Sequence, residues 1–146
     1  MIIFVSGTPA PQGSKVFYRK GGMRESSKAV GPWREAVRAE TQRAMLKAVD
    51  EPFTGPVKAQ LKFIMPRPKG HYRTGRNAHL LRDGAPPWPV GKPDADKLAR
   101  AVLDGLTDGG AWKDDSQVVT LLAFKTYASG VHQPGCVIVV KEMGEI

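Results

Sequence analysis

The sequence predicts one small domain of the α/β (α+β) class, in which a mixed sheet of about four to six strands packs with two main helices. Three observations support this prediction. Apolar and polar residues alternate over residues 57–65, as in a strand with one buried face. Apolar residues recur at helical spacing over residues 33–48 and 98–106. At 146 residues the chain can bury a substantial core, so we expect a single domain over residues 1–146.

The first quarter of the chain predicts a strand followed by a hairpin. Residues 2–5 are a continuous apolar run ended by Ser6-Gly7, which is typical of a buried strand entering a turn. Residues 16–19 and 23–25 flank Lys20-Gly21-Gly22, and these glycines can supply the positive φ values that a hairpin tip needs.

Two segments predict amphipathic helices. Pro32 suits a first helical turn, and no further proline or glycine occurs up to Val49. One stripe of this helix should face the core: Trp33, Val37, Thr41, Ala44 and Ala48. A second helix should follow Pro93-Asp94 and stop at Gly109-Gly110. Its apolar positions are Leu98, Ala101, Val102 and Leu106.

The last third of the chain predicts two more strands. Residues 117–127 are rich in β-branched and large apolar residues on both alternations, which favours a central strand. Residues 137–140 predict another strand, covered on both faces.

The composition favours an anionic partner in a reducing compartment. The net charge is +8 and the pI is near 9.8, which points toward nucleic acid or another anionic surface. One cysteine, Cys136, excludes an internal disulfide framework, and we expect it to be a small buried core residue. No stretch resembles a signal peptide or a membrane span, so we expect a cytoplasmic protein without a membrane partner.

Residues 66–92 form a long basic segment with five prolines and no sustained periodicity. A loop of this length in a small domain is usually functional or disordered. One interpretation is a solvated excursion; the other is an arm in which cations hold phosphates and aromatic rings stack on exposed bases. Lys15 likewise lies in a surface connection or contacts a phosphate. The predicted DNA-binding residues are Lys15, Arg67, Lys69, Arg73, Arg76, Lys92 and Lys97.

An acidic stretch lies inside this basic chain. Residues 93–115 hold six acidic and three basic side chains, a local charge of −3, whereas the remainder carries +11. Two of the acidic residues, Asp94 and Asp96, precede the second helical pattern, and Asp114 and Asp115 precede a β-branched run. A compact acidic centre in a basic protein suits a metal-dependent nuclease, because carboxylates hold the cation while the surrounding charge attracts phosphates.

The acidic residues allow a catalytic and a structural interpretation. Asp94 and Asp96 can present oxygens to one side at the helix entry, and Asp115 joins them if its strand lies beside that entry. Such a carboxylate set suits Mg²⁺, for which Mn²⁺ can substitute, and the cation would lower the pKa of a bound water. Alternatively, Asp94 caps the helix, and Asp114 and Asp115 end a turn. In this interpretation Asp96, Arg100 and Asp104 form surface ion pairs.

Three motifs resemble the RusA family of Holliday junction resolvases of bacteria and phages. They are Lys92-Pro-Asp-Ala-Asp-Lys-Leu98, Asp104-Gly-Leu106 and Asp114-Asp-Ser-Gln-Val118. The loop Gly7–Gly13 and the helix start Pro32-Trp33 also resemble that family, so the similarity spans most of the chain. The resemblance implies a small homodimer that binds four-way DNA junctions and, with magnesium and no small-molecule cofactor, nicks two opposing strands symmetrically.

The resemblance also assigns roles by position. Asp94, Asp96 and Asp115 match the metal-binding catalytic carboxylates, and Asp114 matches their acidic neighbour, giving a metal set of four aspartates. This chain has Lys97 where the family commonly has asparagine, and Arg100 where the family has a catalytic lysine. An arginine can stabilise charge on a phosphate but cannot readily donate a proton at neutral pH. The predicted catalytic residues are Asp94, Asp96, Asp115 and Arg100.

The leading hypothesis is therefore a Mg²⁺-dependent, structure-selective endonuclease that hydrolyses phosphodiesters with a metal-activated water. One alternative is a branched-DNA-binding protein with weak or no nuclease activity. A phosphatase using the first aspartate of Asp-x-Asp as its nucleophile is a third hypothesis. That chemistry usually places the motif directly after a buried strand, whereas residues 86–93 here are rich in proline.

Overall fold

Two helices cover one face of a four-stranded mixed sheet, and a separate two-stranded hairpin accompanies them. The computed structural model describes residues 1–13, 15–18, 22–25, 28–48, 51–130 and 132–144, with the side chains of 15–18 and 22–25 left out. This architecture confirms the predicted α+β class.

The regular elements follow in chain order. The strands are β1 (Ile2–Ser6), β2 (Lys15–Tyr18), β3 (Gly22–Glu25), β4 (Val57–Met65), β5 (Val118–Tyr127) and β6 (Gly135–Glu142); the helices are α1 (Val30–Ala48) and α2 (Ala95–Asp108). The main sheet has the order β1-β6-β4-β5. Strands β4 and β5 are parallel, and the other neighbouring pairs are antiparallel. A parallel pair requires a crossover, and α2 provides it.

The core lies between the helices and the sheet. Leu61 and Phe63 of β4 are fully buried beneath Leu98 and Leu106 of α2 and their neighbours. The two helices approach closely because glycine occupies the crossing on α2. A Cβ at Gly105 would lie 2.7 Å from the Val37 side chain, and one at Gly109 would lie 2.6 Å from that of Thr41. Larger residues there would separate the helices.

The prediction of a central strand at residues 117–127 was wrong in position, since β5 lies at the edge of the sheet. Its large apolar side chains are exposed: Val119, Leu121, Leu122 and Phe124. An apolar strand pattern indicates that the strand can pack against other apolar side chains. It does not show whether those side chains belong to the same chain.

Strand β1 is also at an edge. We predicted that its apolar run is buried, but only alternate residues are. Ile3 and Val5 face the core, whereas Ile2 and Phe4 are exposed on the opposite face of the sheet. Val137 and Val139 of β6 lie in the same rows as Phe4 and Ile2 and are half-buried. The helices thus leave the second face of the sheet open. The prediction that β6 is covered on both faces was therefore wrong for this second face.

Other local predictions are confirmed. Strands β2 and β3 pair as the predicted hairpin, although its tip and Arg19 lie outside the described residues. Cys136 is a buried free cysteine, and burial raises the pKa of its thiol to about 12. Among the described residues, no helix has the length and apolar character needed to cross a bilayer.

Candidate functional site

Asp94 and Asp96 lie at the start of α2. Asp94 occupies the N-cap position with an extended backbone, φ −70° and ψ 143°, but its carboxylate makes no capping hydrogen bond. The nearest cation is Lys97, whose Nζ lies 3.8 Å from Asp94 Oδ2. Asp96 is in the first turn, and both aspartates are exposed. The two carboxylates are therefore at the surface and free of a capping role.

The segment before Asp94 is tied to the edge strand by Lys125, a residue that sequence reasoning did not select. The Lys125 ammonium donates hydrogen bonds to the carbonyl oxygens of Gly91, at 2.7 Å, and Pro93, at 2.9 Å. Lys125 is the one charged residue in the sequence of β5. That isolated charge in an apolar strand is the signal that could have identified it.

Asp114 and Asp115 form a 3-10 turn that leads into β5. The Asp114 side chain accepts a hydrogen bond of 2.8 Å from the backbone N–H of Ser116, at the N-cap of the turn. Asp115 is the first residue of the turn, which ends at Gln117. The turn thus contains a capping box, and both carboxylates remain exposed.

Gln117 fixes this turn with both ends of its amide. Its Oε1 accepts hydrogen bonds from the backbone N–H groups of Lys113, at 3.1 Å, and Asp114, at 3.3 Å. Its Nε2 donates to the carbonyl oxygens of Phe53, at 2.8 Å, and Gly55, at 3.1 Å. One side chain therefore joins the acidic turn to the segment that enters β4.

The pKa values of the two neighbouring carboxyls shift in opposite directions. The hydrogen bonds from Ser116 lower the pKa of Asp114. Partial burial of its carboxyl raises the pKa of Asp115, and the negative charges of Asp114 and Asp104 raise it further. A cation close to Asp115 would offset these negative charges.

The two aspartate pairs lie at opposite ends of α2. Asp115 is electrostatically coupled to Asp104, and ten residues of helix separate Asp94 from Asp104, a rise of about 15 Å. Among the described residues, no group of three or more His, Cys, Asp or Glu side chains could hold a metal ion. The described residues therefore contain no cluster that joins Asp115 to Asp94 and Asp96, whereas we had expected one if the strand of Asp115 lay beside the helix entry. The catalytic and metal-binding roles of these residues stay predictions.

Arg100 is exposed one helical turn after Asp96. Among the described residues, Arg100 forms no salt bridge with Asp96 or Asp104. The alternative of a run of ion pairs along α2 is therefore not observed. The guanidinium is thus available on the face of α2 that carries the acidic side chains.

The basic loop is organised by its own arginines. Arg67 lies 4.2 Å from the centre of the Tyr127 ring and donates a hydrogen bond to the carbonyl of Pro86. Arg73 bonds to the carbonyl of Leu81 and to the carboxylate of Asp83, each at 3.1 Å. These two arginines, both predicted to bind DNA, therefore also hold the loop in shape. Two short 3-10 turns, Lys69–His71 and Gly75–Asn77, interrupt it.

The other predicted DNA contacts differ in their surroundings. Lys69, Arg76 and Lys92 are exposed. Lys69 lines a cavity of about 610 Å³ within the loop, together with Tyr72 and Arg82. Lys97 is half-buried beside Asp94, and the side chain of Lys15 lies outside the described part of the chain. Contact of any of these residues with DNA stays a prediction.

Comparisons with known proteins identify the family. None of the curated proteins compared with this chain matches it. The family model described as endodeoxyribonuclease RusA matches residues 6–141, which include both aspartate pairs, Arg100 and the basic loop. The chain therefore belongs to the RusA endodeoxyribonuclease family, whose members act on branched DNA junctions.

Proposed function

We propose that this endodeoxyribonuclease is Mg²⁺-dependent and resolves four-way DNA junctions as a homodimer, by paired symmetric nicks. The observation that carries the proposal is the division of its carboxylates: Asp94 and Asp96 lie at one end of α2, and Asp114 and Asp115 at the other. Neither pair alone contains the three metal-binding carboxylates that the family resemblance assigns, Asp94, Asp96 and Asp115. A second copy of the chain can unite them.

The edge strand β5 is the surface that favours such a dimer. Within the described residues it pairs with β4 on one side, so its other backbone edge is open. Its exposed apolar side chains, among them Leu121 and Leu122, would be covered by a partner strand. Antiparallel pairing of two β5 strands would place the Asp115 end of one copy beside the Lys125 end of the other. Lys125 holds the segment that leads to Asp94.

The donor set suits magnesium, with manganese as a substitute. Asp94 and Asp96 of one copy and Asp115 of the other would hold the cation, with Asp114 beside them. When bound, the metal would supply a water of lowered pKa and offset negative charge on the phosphate. Carboxylate oxygens are the ligands that these hard cations prefer.

Arg100 would stabilise charge at the scissile phosphate. It follows Asp96 by four residues and therefore shares its face of α2. A guanidinium can form two parallel hydrogen bonds to phosphate oxygens and remains charged at neutral pH. Arginine in place of the family's lysine thus keeps a positive charge at this position but cannot readily donate a proton.

The two-fold symmetry of a homodimer matches paired nicking. One active centre cuts one strand, whereas two centres related by a dyad can cut opposed strands of a four-way junction at equivalent positions. The exposed loop cations Lys69, Arg76 and Lys92 would contact phosphates of the junction arms. A chain with one cysteine fits action in the reducing cytoplasm.

Incubation with a labelled four-way junction and a matched linear duplex, with Mg²⁺ or with a chelator, tests the proposal. We expect paired nicks in opposing strands of the junction, an intact duplex, and no cleavage with the chelator. Cleavage that persists in chelator would contradict metal dependence. Tight junction binding without cleavage would instead favour the branched-DNA-binding alternative.

A further inference from the structure

Lys125 is a half-buried lysine whose ammonium is used inside the protein. It lies on the edge strand β5, and its two described hydrogen bonds are to the backbone carbonyls of Gly91 and Pro93. A carbonyl oxygen accepts strongly from a charged donor, because the ionised partner roughly doubles the strength of a neutral hydrogen bond. Lys125 therefore anchors a loop segment to the sheet.

This segment has little packing of its own. Gly91, Lys92 and Pro93 border a cavity of about 640 Å³, whose other walls include Pro9, Pro68 and Tyr127. Gly91 and Lys92 are exposed. Because an open cavity replaces packed side chains on that side, backbone hydrogen bonds to Lys125 must set where the segment runs.

The anchored segment ends at the residue before Asp94. Asp94 makes no side-chain hydrogen bond at its N-cap position, so its carboxylate direction depends on the backbone of Pro93 and on the first turn of α2. That turn is itself restrained: the backbone N–H of Gln12 donates to the carbonyl of Lys97, at 3.0 Å. Lys125 supplies the corresponding restraint on the other side of Asp94.

We propose that Lys125 is a positioning residue for Asp94, which it orients through the carbonyls of Gly91 and Pro93. This inference rests on the proposed endonuclease function, in which Asp94 belongs to the reacting centre. Small displacements of a group in such a centre cost up to about 10²-fold in rate. Two of the three ammonium donors are engaged in the protein, so the main role of Lys125 is distinct from phosphate binding.

Three variants separate positioning from charge. Lys125→Met keeps an unbranched side chain, one atom shorter, and removes the donors, whereas Lys125→Arg keeps a charged donor of similar reach. Lys62→Met is the matched control, because it removes a lysine from the neighbouring strand β4 at an exposed position on the open face of the sheet. Thermal melting of each variant establishes that the fold is retained.

The first measurement is single-turnover cleavage of a four-way junction at saturating protein, paired with junction affinity in chelator. Lys125→Met should cut roughly 10-fold to 10²-fold more slowly, with affinity close to that of the parent. Lys125→Arg should recover a large part of the rate, and Lys62→Met should cut normally. Parent-like cleavage by Lys125→Met would overturn the proposal. The proposal would also be overturned if Lys125→Met bound DNA more weakly and with less dependence on salt, and recovered its rate at high DNA concentration. That pattern is typical of a lost phosphate contact.

The second measurement needs no DNA and therefore distinguishes this inference from the proposed function. Amide hydrogen exchange over residues 91–96 should be faster in Lys125→Met than in the parent and in Lys62→Met, with the other described segments unchanged. Unaltered exchange in this segment would overturn the positioning role even if the parent cuts junctions. Faster exchange in Lys125→Met, together with a parent that cuts no DNA, would retain the anchor and reject the endonuclease proposal.

Discussion

The two aspartate pairs are held in contrasting ways. The Asp114–Asp115 turn is fixed by the Asp114 side chain, which accepts from Ser116, and by the Gln117 amide, which accepts two hydrogen bonds and donates two. Asp94, in contrast, leaves its capping position unused, and the segment before it is anchored through Lys125. One pair is thus built into the fold, while the other is exposed at a tethered helix entry. The contrast indicates that the position of the Asp94 end depends more on single contacts than that of the Asp114–Asp115 turn.

The two regions also differ in their electrostatics. Asp94 has a lysine nearby, with Lys97 Nζ at 3.8 Å. At the other end, Asp115 has two like charges as neighbours, and these add to the effect of burial in raising its pKa. Negative charge is therefore concentrated at the rigid end. The clustered negative charges would attract a cation, and without a cation they repel one another.

The largest effect is expected at the tethered end, from Asp96→Asn. Cleavage should fall on the order of 10³-fold or more, because a metal ligand that stabilises the transition state is lost. Junction affinity should be equal or higher, since one negative charge facing phosphate is removed. Single-turnover cleavage and binding in chelator measure the two effects. Glu40→Gln, on α1, is the control for loss of charge, and parallel loss of binding and cleavage in folded Asp96→Asn would argue against a catalytic role.

The next effect concerns Arg100, on the helix that joins the two regions. Arg100→Ala should slow cleavage on the order of 10²-fold, the scale for removing one donor to the transition state. Arg100→Lys should retain substantial activity, because a cation remains at nearly the same reach. Rates for both variants on one junction at saturating magnesium provide the test. An alanine variant as fast as the parent removes Arg100 from the active centre.

A smaller effect, on stability, is expected at the rigid end from Gln117→Ala. Loss of its hydrogen bonds leaves backbone groups of the turn and of Phe53 without their described partners, so unfolding should require about 1–3 kcal/mol less free energy. Urea denaturation measures this change. Lys125→Met is the comparison variant and should be less destabilised, because Gly91 can bond to water. The reverse order would contradict the assignment of rigid and tethered ends.

The smallest effects are those of pH on stability, and their signs differ between Asp114 and Asp115. The folded state lowers the pKa of Asp114 from its ordinary 3.8, so its stabilisation is present above that value and is lost as pH falls through the folded pKa. The folded state raises the pKa of Asp115, so a penalty develops as pH rises above 3.8 and is complete above the folded pKa. At neutral pH, Asp115→Asn should therefore raise the melting temperature and Asp114→Asn should lower it. From neutral to acidic pH these differences should shrink, that of Asp115→Asn at a higher pH than that of Asp114→Asn, because the pKa of Asp115 is raised and that of Asp114 is lowered. Melting curves across this range would refute the account if both variants shifted in the same direction.

Local pattern was sufficient for much of the fold. Both helices, the alternating strand β4, the hairpin and the basic loop were predicted, because each depends on residues close in sequence. The predicted stripe of α1 was wrong at its end, where Met45 is buried and Ala48 is exposed. The position of β5 was not correctly predicted, since the order of strands depends on tertiary packing. The motif around Asp94 and Asp115 identified the acidic residues, but the distance between them depends on the direction of α2.

The contacts made by long side chains were also beyond the sequence. Lys125 reaches a loop 32 to 34 residues away, and Gln117 reaches carbonyls 62 to 64 residues away. Arg67 and Arg73 were predicted as DNA contacts, and the structure shows in addition that they bond to their own loop, which the sequence did not indicate. The sequence shows which side chains are charged. Only the fold shows which groups they contact.

A mixed dimer tests most directly the central claim that the two aspartate pairs unite across two chains. Asp96→Asn and Asp115→Asn chains, each inactive alone, are co-expressed with different tags and purified through both. If each centre combines Asp96 of one chain with Asp115 of the other, the mixed dimer contains one centre with both residues intact and one with neither. The account predicts that this dimer regains Mg²⁺-dependent nicking of one junction strand without paired resolution. A folded mixed dimer that binds the junction and cuts neither strand would contradict it, because centres contained within single chains would both be damaged.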